Sequence, residues 1–268
     1  MKVYLVTDME GVSGAAMVSA YNLPKNPAEA GILRLMMHEI NAAVAGCFDG
    51  GATEVQVRES HLFDVELLDP RATLIRGILT AEEFDQGFDA IMWVGQHARS
   101  LVRDGVLAHT GSSRSIREVW INGEPIGEPP LLAGVAGAYG ARPVFLSGDR
   151  AACQEAQAYF GAIETAEVMR GIGNHTGICL PAPVARQRIR EGARRGLERI
   201  NEFRPLQFEG EVEIAVSFKM PAIADCCCNI PGVRRIDSTT IAYRGDFVTA
   251  WKVCYLCVSY ILVRYDRN

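Results

Sequence analysis

The sequence predicts an α/β protein: a mainly parallel sheet flanked by helices, followed by a smaller C-terminal α+β portion. Three observations carry this expectation. Short apolar, β-rich runs alternate with helical stretches over the first 150 residues, the signature of a parallel sheet with helices on both faces. The 268 residues are 49% apolar and 22% charged, enough to bury a large core and far from the disordered regime. Near Pro181 the alternation gives way to a long amphipathic helix, an alternating strand and a closing helix. That change suggests a division into residues 1–180 and 181–268.

Taken in order, Lys2–Thr7 is a strand that stops at Asp8. Ala28–Cys47 is a helix with Ile32, Met36, Ile40 and Val44 on one face, at the i, i+4 spacing that puts side chains together. Gly50-Gly51 ends it, and Glu54–Arg58 is a second strand running into Glu59-Ser60-His61. Thr73–Arg76 and Ala90–Val94 are further strands, the latter ending at Gly95-Gln96-His97. Glu118–Asn122 begins a hairpin that turns at Gly123 and returns through Ile126, Pro129–Tyr139 is a close-packed helix and Pro143–Leu146 a strand. Beyond Pro181, Val184–Phe203 is an amphipathic helix, Glu211–Phe218 a strand and Phe247–Val263 a mostly buried helix. The six arginines from Arg186 to Arg199 read as a solvated face balanced by Glu191 and Glu198.

Composition excludes several classes. A net charge of −5 argues against a nucleic-acid or membrane-surface binder, which needs a basic excess. Only four of the 27 basic residues are lysine (Lys2, Lys25, Lys219, Lys252), and none sits in a phosphate-loop context. Asp8 and Glu10 interrupt the opening apolar run, so the start does not read as a signal peptide. With eight cysteines, three of them adjacent at 226–228, the expectation is a reducing cytoplasmic setting with free thiols. Cys254-x-x-Cys257 lies in an apolar helical run and reads as buried small hydrophobes.

The chemistry-bearing residues gather at strand ends, where open parallel sheets bind ligands. Asp8 and Glu10 follow the first strand, two apart in extended chain, so both project to one side. His61 follows the second strand and His97 the fourth run. Two carboxylates and two imidazoles on neighbouring strand tips can supply a zinc-type site, with a carboxylate able to bridge two ions. Each residue alone is weak evidence, since a lone strand-end Asp is more often a helix cap or turn former. His109 lies between Gly105 and Gly111: either a surface imidazole, or a group that moves a proton or holds an oxyanion. Glu128 precedes Pro129-Pro130 at a helix start, as an anion favoured by the helix dipole or as another carboxylate for the cleft. His38 and His175 read as structural.

Together these pieces resemble the D-aminopeptidases associated with dipeptide transport, a family of dizinc metallopeptidases. The matching words are Asp8-Met9-Glu10-Gly11-Val12-Ser13-Gly14, Glu59-Ser60-His61, Gly95-Gln96-His97-Ala98, His109 in its loop, and Ile121–Glu128. The resemblance implies two zinc ions held by Asp8, Glu10, His61, His97 and Glu128, with Asp8 bridging and His109 as the active-site histidine. It also implies removal of N-terminal residues, D-amino acids above all, from short peptides, and a decameric ring. The chain departs from the family wording at Arg58-Glu59, where Asn-Asp is usual, and at Pro129-Pro130-Leu131-Leu132, where Gly and Asn are usual. The second departure bears on pocket shape.

Two rival readings remain at this level. Tyr4–Gly11 and Gly148-Asp149 resemble the acidic motifs of magnesium-dependent phosphatases of the haloacid-dehalogenase type. That class expects Asp at position 10 and a placed lysine, for which only Lys25 is near. The other rival is a ring-forming scaffold whose acidic cleft captures peptide amines without cleaving them.

Overall fold

The computed structural model describes residues 1–16, 27–61 and 64–264. Lys25 therefore lies outside the described residues. Seven strands form the first sheet: β1 (Lys2–Thr7), β2 (Glu54–Arg58), β3 (Thr73–Ile75), β4 (Ala90–Gln96), β7 (Arg142–Asp149), β8 (Glu164–Gly173) and β9 (Thr176–Cys179). Their order is β3-β2-β1-β4-β7-β8-β9, and every neighbouring pair is parallel except β8–β9. From β1 the chain builds outward through β2 and β3, then crosses back to place β4 on the other side. The β1/β4 crevice is thus the switch point at which such sheets bind ligands.

Alternation along the strands decides which face each side chain serves. Val3 and Leu5 pack, with Val55, Val57, Met92 and Phe145, beneath α1 (Pro27–Asp49) and α4 (Ala182–Glu198). Tyr4, Val6 and Trp93 point the other way, toward α2 (Glu128–Ala138), α3 (Arg150–Phe160) and a second, antiparallel sheet. That sheet has the order β11-β12-β10-β5-β6, formed by β5 (Ile116–Ile121), β6 (Glu124–Pro125), β10 (Val212–Phe218), β11 (Arg234–Arg235) and β12 (Thr240–Gly245). The last helices, α5 (Pro221–Cys227) and α6 (Phe247–Arg264), pack on it.

The α/β architecture with a mainly parallel sheet is as the alternation predicts. Around residue 180, α4 packs on the first sheet, and the second sheet takes strands from residues 116–125 as well as from 212–245. Two local readings change. The arginines of α4 do more than face solvent: Arg190 pairs with Asp49 of α1, and Arg195 and Arg199 pair with Glu164 of β8. The closing helix α6 buries one face only. Trp251, Cys254 and Cys257 turn inward while Leu256 is 54% exposed.

Candidate metal centre

Tight backbone contacts at the carboxyl ends of β1 and β4 assemble the centre. The Asp8 N–H donates to the Val94 carbonyl at 2.8 Å and the Gly11 N–H to the Gly95 carbonyl at 2.7 Å. A Cβ on Gly11 would lie 2.0 Å from the Gln96 carbonyl oxygen, and one on Gly95, whose φ is +81°, would lie 2.1 Å from that of Asp8. Only glycine permits this approach. Extended-strand projection does not bring Asp8 and Glu10 together as the sequence suggested. The strand ends at Thr7 and the chain turns, with the Met9 N–H on Asp8 Oδ1 and the Val12 N–H on the Met9 carbonyl. Met9, between them in sequence, turns away into the apolar cluster under α1 and α4.

Neighbouring loops are pinned over this turn. The Thr7 hydroxyl donates to the Arg58 carbonyl at 3.0 Å and accepts from the Ser60 N–H at 3.3 Å, so the 59–61 turn sits on the end of β1. His61 Nε2 then lies 3.0 Å from Asp8 Oδ1 and 3.2 Å from Glu10 Oε2. His97 Nε2 lies 3.3 Å from Asp8 Oδ2 and 3.6 Å from Glu128 Oε1. His109 stacks on His97, ring centroids 4.0 Å apart, with Nε2 3.9 Å from Glu128 Oε1. Glu128 opens α2 and accepts from the Gly111 N–H at 2.7 Å. All six residues singled out in the sequence therefore meet in one place.

Hydrogen bonds fix which nitrogen each ring presents. His97 Nδ1–H donates to the Ala98 carbonyl at 2.9 Å and His109 Nδ1–H to the Leu107 carbonyl at 2.8 Å. Each ring thus turns its Nε2, the nitrogen that bond leaves over, toward the carboxylates, the arrangement that suits a metal ligand or a group that moves a proton. Leu107 reaches that position with a φ of +50°, a left-handed conformation costing roughly 1–2 kcal/mol for a side-chain-bearing residue.

The donor set fits a divalent cation. Asp8 Oδ2 and Glu10 Oε2 are buried and, apart from the facing His97 and His61 nitrogens, meet no donor among the described residues, a state that costs a buried carboxylate several kcal/mol unless a cation, metal or imidazolium, is present. Ligating atoms of Asp8, Glu10 and His97 lie within 4.8 Å of one another, as do those of His97, His109 and Glu128. In the metal-free protein, protons serve instead. Burial acts to lower the His61 and His97 pKa values, but the adjacent Asp8, Glu10 and Glu128 carboxylates hold both well above the ordinary imidazole range. Burial likewise acts to raise Asp8, yet His97 and His61 keep it well below the usual carboxylate range. Carboxylate oxygens with imidazole nitrogens are the ligands zinc takes.

Residues 1–255 match the M55 peptidase family, D-aminopeptidase. The chain belongs to that family. It is 30% identical over 262 residues to a D-aminopeptidase of Bacillus subtilis (strain 168), covering 94% of each chain. It is also similar to the solved structure of the Zn-dependent D-aminopeptidase DppA from Bacillus subtilis, described as a self-compartmentalizing protease, with a TM-score of 0.89, 27% identity and 98% of each chain covered. As a member of the D-aminopeptidase family, the chain is a metallo-aminopeptidase.

Other members of the site were not read from the sequence as such. Asp149, the acidic residue of the phosphatase reading, accepts from the Val106 and Ala152 N–H groups, both at 2.7 Å. It caps α3 and anchors the loop that carries His109. Glu39 of α1 accepts from the Ser13 N–H at 3.0 Å and braces the Asp8–Ser13 turn from beneath. Gln96 is 2% exposed, with Oε1 free of any hydrogen bond among the described residues. The strand-end rule flags both Gln96 and Asp149, because each is the last residue of its strand. Glu39 carries no such signal.

Proposed function

We propose that the protein is a zinc-dependent aminopeptidase that removes D-amino acids of the D-alanine type from the N-terminus of short peptides. In this reading Asp8, Glu10, His61, His97 and Glu128 hold two zinc ions, with Asp8 between them. The observation that carries it is the convergence of these ligand atoms, with two buried carboxylate oxygens that face only imidazole nitrogens, at the β1/β4 switch point. Bound zinc supplies Lewis-acid chemistry, polarising a carbonyl oxygen and acidifying water. The partly exposed Glu128 also gives the free peptide amine an acidic group to approach. His109, with Nδ1–H spent on the Leu107 carbonyl, holds Nε2 ready to carry a proton to the departing amine or to donate to the developing oxyanion.

We further infer a closed homo-oligomer, decameric by the family resemblance, working in the cytoplasm. The self-compartmentalizing character of the Bacillus subtilis relative supports the closed assembly. Among the described residues, no helix is long and apolar enough to cross a membrane.

The test is hydrolysis of matched D-Ala and L-Ala p-nitroanilides and dipeptides, with protein-bound metal measured on the same sample. Nearly two zinc per chain with faster D-substrate cleavage is the expected result. Preferred cleavage of L-substrates removes the stereochemical part of the proposal. Bound metal in folded protein without cleavage of either set favours the non-catalytic scaffold.

A further inference from the structure

Beside the metal centre the two sheets leave a cavity of about 330 Å³. Its polar end is part of the site: Glu128 and Gln96 line it, as do Ser60 and Thr110, the sequence neighbours of His61 and His109. Its remaining wall is largely apolar, drawn from both sheets and from α2 and α6, including Trp93, Val119, Leu131, Val216 and Trp251. Apolar walls of this kind normally close on one another, because interiors pack to crystal density and a void forfeits contact energy. A cavity of roughly 150 Å³ lined by Leu, Ile and Phe already accommodates benzene. The space here is about twice that, and an alanine methyl would leave most of it empty.

We propose that this cavity receives the side chain of the substrate's N-terminal residue, and that the substrate class is peptides beginning with a large apolar, aromatic-sized residue. The inference rests on the aminopeptidase reading, which puts the N-terminal residue at the metal centre and so its side chain at the cavity mouth, and it replaces the alanine-sized side chain of that reading with a larger one. Gln96 supplies the polar counterpart. Its buried Oε1 has no donor among the described residues, and it stands where apolar cavity meets metal ligands, fit to accept an N–H of the bound peptide. Arg58 and the Leu131-Leu132 pair, the positions at which the sequence departs from the family wording, also line this cavity. Arg58 does not bring a free charge to it: its guanidinium donates to the Ile75 and Gly77 carbonyls and lies 3.5 Å from Glu83.

The experiment uses the zinc-loaded protein and two readouts. In the first, kcat/KM is compared for Phe and Ala p-nitroanilides of the same configuration. In the second, binding of the non-hydrolysable phenylalaninol and alaninol is followed by tryptophan fluorescence, since Trp93 and Trp251 line the cavity. The expected result is a preference for phenylalanine of about tenfold or more, on the scale that added methylenes give in an apolar pocket, with tighter binding of phenylalaninol. Leu131→Trp, at the half-buried edge, and Val119→Phe, deeper in, should each lower the Phe-to-Ala ratio at least about tenfold; either suffices if the other does not fold. Alanine substrates cleaved as well as phenylalanine ones, with phenylalaninol binding no tighter than alaninol, would overturn the proposal. If no substrate is cleaved but phenylalaninol still binds more tightly and Leu131→Trp abolishes the difference, the pocket stands and the aminopeptidase reading falls.

Discussion

The two faces of the first sheet carry similar apolar residues but serve different ends. Beneath α1 and α4 the face is filled: Leu5, Ile40, Val57 and Met92 are fully buried in one apolar cluster. Under the second sheet, Val6 and Trp93 border the open space beside the metal centre. One face contributes stability, and the other gives up some packing to keep room for a ligand. Buried polar groups obey the same division. Glu39, on the filled side, braces the ligand turn, while Gln96 opens onto the cavity.

The largest effects belong to the centre that joins the faces. His97→Ala removes a proposed ligand and the ring on which His109 stacks, so bound metal and turnover should vanish together, read by metal analysis and rate on one sample. His109→Ala should keep most of the metal while kcat falls about 10²–10⁴-fold, the usual share of a positioned acid or base. Equal metal loss in both variants would make His109 a ligand. Away from the centre, Ile40→Ala on the filled face should cost roughly 2–5 kcal/mol in denaturant unfolding and leave substrate preference unchanged. Leu131→Ala, half-buried beside open space, should cost about 1 kcal/mol, since little new cavity surface is made, and should shift preference instead.

A pH-dependent effect falls on Glu39. Burial raises its pKa to about 8, against the lowering influence of the Ser13 N–H and Arg186. The unfolded chain releases this proton near pH 4.5, the ordinary value, whereas the native state holds it until about 8. Stability therefore falls as pH rises across that window, by up to about 1.4 kcal/mol per unit. Glu39→Gln keeps an acceptor for Ser13 and removes the ionisation. Its melting temperature should match the parent near pH 5 and exceed it by about ten degrees at pH 8. A parallel decline in both proteins would rule this account out.

Much of this was legible because the signals were local. Asp8, His61 and His97 stand just past apolar runs that end abruptly, and the strand-end rule alone gathers them. Glu128 was legible as a helix start and His109 as a loop residue between glycines, but their meeting depends on the Gly111 N–H and on the loop path fixed by Asp149, a contact 43 residues away in sequence. None of the elements α3, β8 and β9 was read from the sequence. β8 exposes part of each face and ends in Gly171 and Gly173, and β9 is short and pairs antiparallel at the sheet edge, so neither shows a clean period. The second sheet was hardest, since β10 lies between β5 and β12 and no local pattern announces such a partner. The cavity, bounded by both sheets, was invisible for the same reason.

The most direct test of the central claim is anomalous diffraction at the zinc edge from crystals of the zinc-loaded protein. Two peaks among Asp8, Glu10, His61, His97 and Glu128, with the Asp8 carboxylate between them, are the predicted result. Folded, zinc-treated protein with no peak at these residues, or with zinc held elsewhere, would contradict the account.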